Sequence, residues 1–253
     1  MINMLHDYRL AEKNFFSMLS IAQENFGSIA AYATGAKASS INPAITHSLN
    51  DSFETDLKKC HSFYARKNLP WVLVIPEDEC NKHADEIGRQ QKLSLIDKSM
   101  TMVLNIESLQ ALPISSPIKI IEMQHDLSTW SIPLMHGFES TPEITEVYTI
   151  CHHSASKKQS NLHHFSGFVG DNVVCSLSLS LIGGNARLDD IATMPRYQKQ
   201  GHATQLILAA LKFAQQLKAK YCFLEASNSG LSVYKKIGFS ELYVNHHYEW
   251  QSA

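Results

Sequence analysis

The sequence predicts a mixed α/β protein in which a mostly antiparallel sheet is flanked by helices. Residues 175–181 alternate strictly between apolar side chains and serines, the period-two pattern of a strand with two unlike faces. Residues 206–217 instead carry apolar side chains at helical spacing. A β-branched run over 71–75, between Pro70 and Pro76, is typical of a strand that is buried on both faces. Short strands and amphipathic helices are therefore expected along the whole chain.

In the first third of the chain, apolar residues recur at alternating steps of four and three, which predicts one amphipathic helix. These residues are Phe15, Leu19, Ala22, Phe26 and Ile29. A second helix is expected over 48–67, ahead of the strand at 71–75. A helix over 78–91 and a strand over 99–106 then complete an α/β unit.

A connector follows this unit, because residues 111–117 hold two prolines and two serines and continue neither a helix nor a central strand. We place a domain boundary there, with a smaller domain over 1–115 and a second domain over 116–253. In the second domain, the residues Gly170-Asp171-Asn172 predict a hairpin turn between two antiparallel strands. Both halves read as helix, strand, helix, strand, so the sequence leaves open whether they are copies of one fold.

Composition excludes several classes of protein. The 253 residues include 22 basic and 24 acidic side chains, a net charge of −2, which does not favour nucleic acid or an anionic membrane as partner. The five cysteines form no Cys-x-x-Cys pair, so neither a disulfide framework nor a zinc knuckle is expected. The absence of a secretory leader pattern and of about 20 consecutive apolar residues predicts a cytoplasmic protein.

The segment that carries chemistry spans residues 188–204. It starts as a strand, breaks at Pro195 and opens a helix near Gly201. Gly201 and Ala203 bear little or no side chain, so the main-chain N–H groups at this helix start are accessible to a ligand. These groups and the positive end of the helix dipole suit a phosphate or a pyrophosphate.

In this segment the chain resembles the GNAT superfamily of acyl-CoA-dependent acetyltransferases. Gln198, Gly201 and Ala203 match its pyrophosphate motif, Arg/Gln-x-x-Gly-x-Gly/Ala, and residues 233–239 match a second motif, Val/Leu-Tyr-x-x-x-Gly-Phe. The form Ala-Thr-x-Pro over 192–195 is similar to two-part bacterial members, in which a divergent unit precedes the catalytic domain. The resemblance covers residues 120–250 and is weak before them. Residues 76–83, which follow the strand at 71–75, contain no glycine, so the first half lacks this phosphate loop.

The resemblance implies a GNAT-type sheet and an N-acetyltransferase that moves an acetyl group from the co-substrate acetyl-CoA to a primary amine, without a metal. The acceptor is a small molecule or a peptide. The main-chain amides of Ile191, Ala192 and Thr193 would lie along the pantetheine, and one N–H would polarise the acetyl carbonyl. The residues that would surround the pyrophosphate and its neighbourhood are Gln198, Lys199, Gln200, Gly201, His202, Ala203, Thr204 and Asn228.

For catalysis, the resemblance places Tyr234 as the general acid for the departing CoA thiolate, with a buried packing aromatic as the alternative. Glu225 is the favoured general base. Asp189 and Asp190 face opposite ways on a strand, so one of them is a further candidate. Many relatives carry an asparagine where this chain has Ser227, and residues 227–229 alternatively cap the following helix.

Several features of the sequence allow more than one interpretation. The histidine pairs at 152–153, 163–164 and 246–247 are assigned to surface and rim positions rather than to a metal, since strand neighbours face opposite ways. Trp130, Phe138 and Glu139 are expected to border the acceptor cleft, although hydrophobic core is the safer interpretation for the first two. A non-catalytic acyl-CoA sensor or assembly module is the alternative function. In a third hypothesis, the first half is a lid that shapes the acceptor site. The sequence indicates no oligomeric state.

Overall fold

The structure is a computed structural model that describes residues 2–83, 87, 90, 92–109, 112–113, 117–124 and 126–251. The described helices are α1 (Ile2–Leu19), α2 (Phe53–Lys67), α3 (Glu77–Lys82), α4 (Ser128–Gly137), α5 (Pro142–Lys158), α6 (His202–Gln216) and α7 (Leu231–Ile237). The strands of the first half are β1 (Ala22–Phe26), β2 (Ile29–Ala33), β3 (Pro43–Thr46), β4 (Val72–Pro76) and β5 (Leu93–Asn105). Those of the second half are β6 (Lys119–Met123), β7 (Leu162–Val169), β8 (Asn172–Ile182), β9 (Asn185–Thr193), β10 (Tyr221–Ala226) and β11 (Ser240–Trp250).

All these strands form one sheet of 11 strands in the order β1-β2-β3-β4-β11-β5-β10-β9-β8-β7-β6. Two neighbouring pairs, β3 with β4 and β9 with β10, are parallel, and the other pairs are antiparallel. Helices flank the sheet, so the predicted fold class is confirmed.

The two halves repeat one order of elements. β1-β2-β3-α2-β4-α3-β5 corresponds to β7-β8-β9-α6-β10-α7-β11, and the pairing directions within the first four strands of each set are the same. The final strands are exchanged: β5 pairs with β10 of the second half, and β11 pairs with β4 of the first half. β5 and β11 also pair with each other, which makes the sheet continuous.

The core of the second half lies between the sheet and α6. Leu206, Leu211 and Ala214 on α6 are fully buried against Leu177 and Leu188 of the sheet. The serines of β8 face the other way and are buried too, beneath α4 and α1, and Trp130 Nε1 of α4 donates to the carbonyl oxygen of residue 177. The alternation predicted for this strand is confirmed, but both of its faces are covered.

Two helix predictions are corrected. α1 ends at Leu19, and residues 22–33 form the hairpin of β1 and β2 around Gly27, whose φ of +56° suits a tight turn. The predicted stripe therefore joins a helix face to two strands. The second helix begins at Phe53 rather than at residue 48. The boundary proposed between residues 115 and 116 lies outside the described residues and stays a prediction. No helix in the described part of the chain is long and apolar enough to span a bilayer.

The exchanged strands predict that each half needs the other. A chain of residues 116–253 lacks β5 and leaves facing edges of β10 and β11 unpaired, and exposed edges favour aggregation. We expect residues 1–115 and 116–253, produced separately, to show no cooperative thermal unfolding, and their co-expression to yield a soluble one-to-one complex. A separate 116–253 chain that unfolds at the temperature of the full protein would contradict this expectation.

Candidate functional site

The candidate site forms where two parallel strands part. β10 pairs with β9 from Tyr221 opposite Asn185 to Leu224 opposite Leu188, and the pairing stops there. β9 continues to Thr193, held on its other side by β8, where Ala192 lies opposite Ser176. The predicted pantetheine positions, residues 191–193, thus lie on a stretch of β9 that β10 does not pair with. On the side that faces β10, this stretch of β9 therefore has no strand partner among the described residues.

The turn before α6 leaves main-chain donors without partners. Gly201 has a φ of +82°, and a Cβ built there meets no atom within 4 Å. Gly201 is the N-cap residue of α6, and it provides no side-chain hydrogen bond to the first N–H groups of the helix. Within the described part of the chain, no acceptor forms a hydrogen bond with the N–H groups of residues 199–204. These N–H groups and the helix dipole create a site for an anion.

A cavity of about 300 Å³ lies against this turn. Its lining residues are Leu112, Pro113, Lys199, Gln200, Gly201, Thr204, Gln205, Leu208 and Lys236. Lys199 and Lys236 are exposed, and neither has an ion-pair partner among the described residues. The cavity therefore joins two lysines to the donor-rich helix start. The sequence analysis singled out Lys199 but missed Lys236, which occupies one of the variable positions of the second motif.

The other residues predicted at this turn have different surroundings. Gln198 donates through Nε2 to the carbonyl oxygen of Thr193, and Gln200 donates to that of Arg196, so both side chains brace the turn. His202 is buried, Ala203 lies within the first turn of α6, and Asn228 is exposed in the loop before α7. The N-cap of α7 is Gly230 with no side-chain cap, so the expectation that residues 227–229 cap this helix is wrong.

Tyr234 lies on α7 with 8% of its surface exposed. Its ring packs on Gly230, where a Cβ would come 2.8 Å from Cε2 of Tyr234. Burial, assisted by the negative charge of Asp189, raises the pKa of Tyr234 to about 12. The hydroxyl has no hydrogen-bond partner among the described residues, and it stays protonated at neutral pH.

Glu225, the favoured base, is held by its neighbours. Its Oε1 accepts hydrogen bonds from Ser99 Oγ and, at 3.0 Å, from Asn245 Nδ2, and it lies 3.3 Å from His247 Nε2. Burial raises the pKa of this carboxyl, but the contacts with His247, Arg187 and Ser99 outweigh burial and lower it to about 2. A carboxylate with so little affinity for a proton is a weak general base.

Arg187 anchors this buried polar network, and sequence reasoning missed it. The side chain is 1% exposed. Its Nε donates to both carboxylate oxygens of Asp189 at 3.0 Å, and its guanidinium lies 5.3 Å from the ring centre of Tyr8. Nη2 also lies 4.0 Å from Oε2 of Glu225. No sequence pattern predicts that this arginine is buried and paired, because its partners come from three separate elements, α1, β9 and β10.

Asp190 occupies a bulge in β9, with a φ of +56°. Its Oδ1 accepts a hydrogen bond from the Tyr148 hydroxyl at 2.9 Å, and its Oδ2 accepts one from Ser178 at 2.7 Å. Burial raises the pKa of Asp190 to about 6, although the hydrogen bonds from Ser178 and Tyr148 oppose the rise. Burial also raises the pKa of Asp189, to about 7, although Arg187 opposes the rise. Both carboxylate oxygens of Asp189 are held by Arg187, whereas Asp190 lines a cavity, so Asp190 is the better placed of the two as a general base.

Asp190 lines a second and larger cavity, of about 500 Å³. The other lining residues are Ala38, Ser40, Ile41, Leu134, Phe138, Glu139, Ser140, Thr141, Ile144, Thr145 and Tyr148. The end of α4 brings this cavity to β9, since a Cβ at Gly137 would lie 3.1 Å from that of Ala192. Residues 38–41 come from the first half of the chain, so both halves build the cavity.

Of the three residues expected at this cleft, two line the larger cavity. Trp130 is fully buried, and the core interpretation holds for it. Phe138 is 58% exposed at the cavity, so the core interpretation is wrong there. Glu139, with a φ of +52°, is exposed beside it. The loop between α4 and α5 therefore presents an aromatic ring and a carboxylate to the cavity.

The surface assignment is wrong for three histidines. His152 and His164 are 0% and 1% exposed, with Nδ1 of the former 2.9 Å from Nε2 of the latter, and His246 is 7% exposed. Burial lowers the pKa of His152 to about 3 and that of His164 to about 2. His152 Nε2 also lies 3.4 Å from Oδ2 of Asp190. The described residues contain no group of three or more side chains that could hold a metal ion.

Comparisons with known proteins agree with this geometry. Residues 125–239 match the family model described as the acetyltransferase (GNAT) family. A GCN5-related N-acetyltransferase from Kribbella flavida has a similar structure, with a TM-score of 0.73 at 10% identity over 97% of this chain and 95% of that one. A GCN5-related N-acetyltransferase from Sphaerobacter thermophilus has a TM-score of 0.61 at 10% identity, covering 88% of this chain and 76% of that one.

A tandem GNAT protein from the clavulanic acid biosynthesis pathway has a TM-score of 0.57 at 13% identity over 89% of this chain and 79% of that one. At these identities, the likeness shows a shared fold. No curated protein matches the sequence significantly.

The buried histidine pair predicts acid lability. Both pKa values lie below the ordinary 6.5, so the unfolded chain binds more protons between pH 6.5 and about 3, and stability falls as the pH falls through that window. Each histidine contributes about 1.4 kcal/mol per pH unit. We expect His164→Gln to flatten the decline of the unfolding free energy between pH 6.5 and 5, measured by urea denaturation.

The matched control is His136→Gln, which changes an exposed histidine on α4 and should leave the pH dependence as in the unmodified protein. An acid decline that is equally steep in both variants would show that the buried pair does not cause it.

Proposed function

We propose that this protein, whose residues 125–239 match the family model of GNAT acetyltransferases, transfers the acetyl group of acetyl-CoA to a primary amine. The observation that supports this proposal most is the turn before α6, where the N–H groups of residues 199–204 have no acceptor among the described residues and lie beside a cavity with two lysines. A diphosphate matches that arrangement in charge and in hydrogen-bonding capacity.

In the proposed donor site, the main-chain N–H groups around Gly201 bind the pyrophosphate, and the ammonium groups of Lys199 and Lys236 lie near its charge. Gln198 and Gln200 act by bracing the turn, while His202, Ala203 and Thr204 contribute their positions at the helix start. The pantetheine lies along residues 191–193, where β9 has no pairing with β10. Asn228, exposed in the following loop, is within the same proposed site.

In the proposed reaction, the acceptor nitrogen attacks the thioester carbonyl and forms a tetrahedral intermediate, whose oxyanion is stabilised by a main-chain N–H of β9. Asp190 accepts the proton that the nitrogen loses. The C–S bond then breaks, and the CoA sulfur takes a proton from the Tyr234 hydroxyl, which solvent restores. Binding both substrates at the parted strands also removes most of the entropic cost of their meeting.

This proposal replaces Glu225 as base. The pKa of Glu225 is about 2, whereas that of Asp190 is about 6, so Asp190 takes up a proton more readily near neutral pH and remains ionised in most molecules above pH 6. Glu225 is instead a positioning residue that holds Ser99 of β5 and His247 of β11 beside β10.

The donor site is tested by placing a negative charge in the turn. We expect Gly201→Asp to weaken acetyl-CoA binding at least tenfold, because the new carboxylate repels the pyrophosphate, as measured by calorimetric titration. No atom lies within 4 Å of the new Cβ, and the backbone strain of a side chain at positive φ is present in the control as well. The control is Gly170→Asp, at a positive-φ glycine with equally open surroundings in the turn between β7 and β8.

Both variants should unfold at similar temperatures, and the control should bind acetyl-CoA as the unmodified protein does. Equal affinity in the two variants would remove the turn as the pyrophosphate site. Tight binding of acetyl-CoA, with no release of CoA in the presence of any amine, would instead support the non-catalytic sensor.

The catalytic roles predict different kinetic changes. The unmodified enzyme should lose kcat/KM as the pH falls through about 6, because Asp190 becomes protonated. Asp190→Asn should lower kcat at least tenfold and abolish this acidic limb. Tyr234→Phe should lower kcat while leaving the dissociation constant of acetyl-CoA unchanged. CoA release, followed with a thiol reagent between pH 5 and 9, measures both.

Asp171→Asn, at an exposed carboxylate in the turn between β7 and β8, serves as the control and should keep the unmodified pH profile. If the acidic limb persists in Asp190→Asn, Asp190 is not the base. If kcat is unchanged in Tyr234→Phe, the phenol does not protonate the leaving thiolate.

A further inference from the structure

The larger cavity has a definite chemical character. Five of its lining side chains present carbon surface: Ile41, Leu134, Phe138, Ile144 and Tyr148. Among the described lining residues, the charged side chains are two carboxylates, Asp190 and Glu139, and none is a lysine, an arginine or a histidine. A ligand with a positive charge is therefore favoured in this cavity. A negatively charged group on the same ligand would find no oppositely charged partner among these side chains.

The position of the carboxylates orients a ligand. The side chain of Asp190 is only 10% exposed. It lies on β9, beside the proposed position of the thioester. Glu139 lies in the exposed loop between α4 and α5 and is more accessible to solvent than Asp190. An amine would therefore reach Asp190 with its nitrogen end first, while the rest of the molecule contacts the apolar side chains.

Phe138 supports an apolar ligand body. This aromatic side chain has 58% of its surface exposed to water. Covering it with an apolar ligand is favourable, because apolar surface is then removed from water. Ile41 faces the same cavity from the first half of the chain, in the connection between β2 and β3. This connection is tied to α5, since Cys151 Sγ lies 3.2 Å from the carbonyl oxygen of Thr34.

We propose that the acceptor is a small monoamine whose nitrogen meets Asp190 and whose aryl or alkyl body packs against Ile41 and Phe138. This inference rests on the proposed function and goes beyond it by naming the acceptor class. A cavity of about 500 Å³ suits a ligand of this size. Amino acids, which add a carboxylate, and diamines, which place a second cation against the apolar wall, are disfavoured. The first half of the chain thereby sets acceptor specificity.

The test uses the full chain and two matched pairs of probes. 2-Phenylethylamine is compared with phenylalanine, which adds a carboxylate, and pentylamine is compared with 1,5-diaminopentane, which adds an amine. With saturating acetyl-CoA, we expect kcat/KM for CoA release to be at least tenfold higher with the first member of each pair. The reverse order, or equal values within both pairs, overturns the acceptor class.

A variant pair tests the wall itself. Ile41→Ser should raise the KM for 2-phenylethylamine at least fivefold and leave the acetyl-CoA dissociation constant unchanged. Ile21→Ser changes an isoleucine that is 72% exposed in the same half and does not line this cavity, and it should change neither value. Equal KM values in the two variants overturn the role of Ile41.

Direct titration of 2-phenylethylamine into the protein with bound CoA separates this inference from the proposed function. Binding that is weakened by Ile41→Ser, without CoA release in the assay, upholds the ligand class and contradicts the acetyltransferase proposal. CoA release with phenylalanine or 1,5-diaminopentane but not with the monoamines upholds the acetyltransferase and overturns the class. Failure of 2-phenylethylamine both to bind and to release CoA also overturns it.

Discussion

The parting of β9 from β10 after Leu188 and Leu224 is the constraint on which the whole site depends. Parallel strands that stayed paired would satisfy each other's main-chain groups and leave no room for a ligand. Because they part, β9 extends to Thr193 paired with β8 but not with β10, and the chain then turns into α6, whose first N–H groups have no partner among the described residues. The proposed acceptor cavity, with Asp190, lies along this same strand. In our proposal, one divergence thus provides both a donor site and an acceptor site.

The exchange of the last strands makes the two halves one unit. β5 of the first half brings Ser99 to Glu225, and β11 of the second half brings Asn245 and His247 to the same carboxylate. Buried charges are stable when they are paired and hydrogen-bonded, and the network that continues to Arg187 meets this requirement with side chains from both halves. The first half also supplies part of the cavity wall. It therefore contributes to the fold and, in our proposal, to the selection of the acceptor.

Local patterns in the sequence predicted much of the second half. The period-two run of β8, the strand over 221–226 and the turn before α6 all follow from short-range chemistry, and they confirm the predicted fold class. The sequence did not predict the features that depend on contacts between distant segments. Ala22, Phe26 and Ile29 continue the helical spacing of α1 by coincidence, because one face of a hairpin also buries apolar residues. The exchange of β5 and β11, the bulge at Asp190 and the burial of His152 depend on partners that are distant in sequence. The exposed ring of Phe138 likewise depends on where α4 ends.

The central claim is that the main chain around Gly201 binds the pyrophosphate of CoA. Amide chemical shifts of protein labelled with ¹⁵N-glycine test it most directly, because Gly201 can be compared with the turn glycines 27, 170 and 183, which also have positive φ values. Titration with acetyl-CoA should shift the Gly201 N–H resonance strongly downfield, as expected for a new charge-assisted hydrogen bond, and leave the other three nearly unchanged. An unperturbed Gly201 resonance at saturating acetyl-CoA would contradict the account.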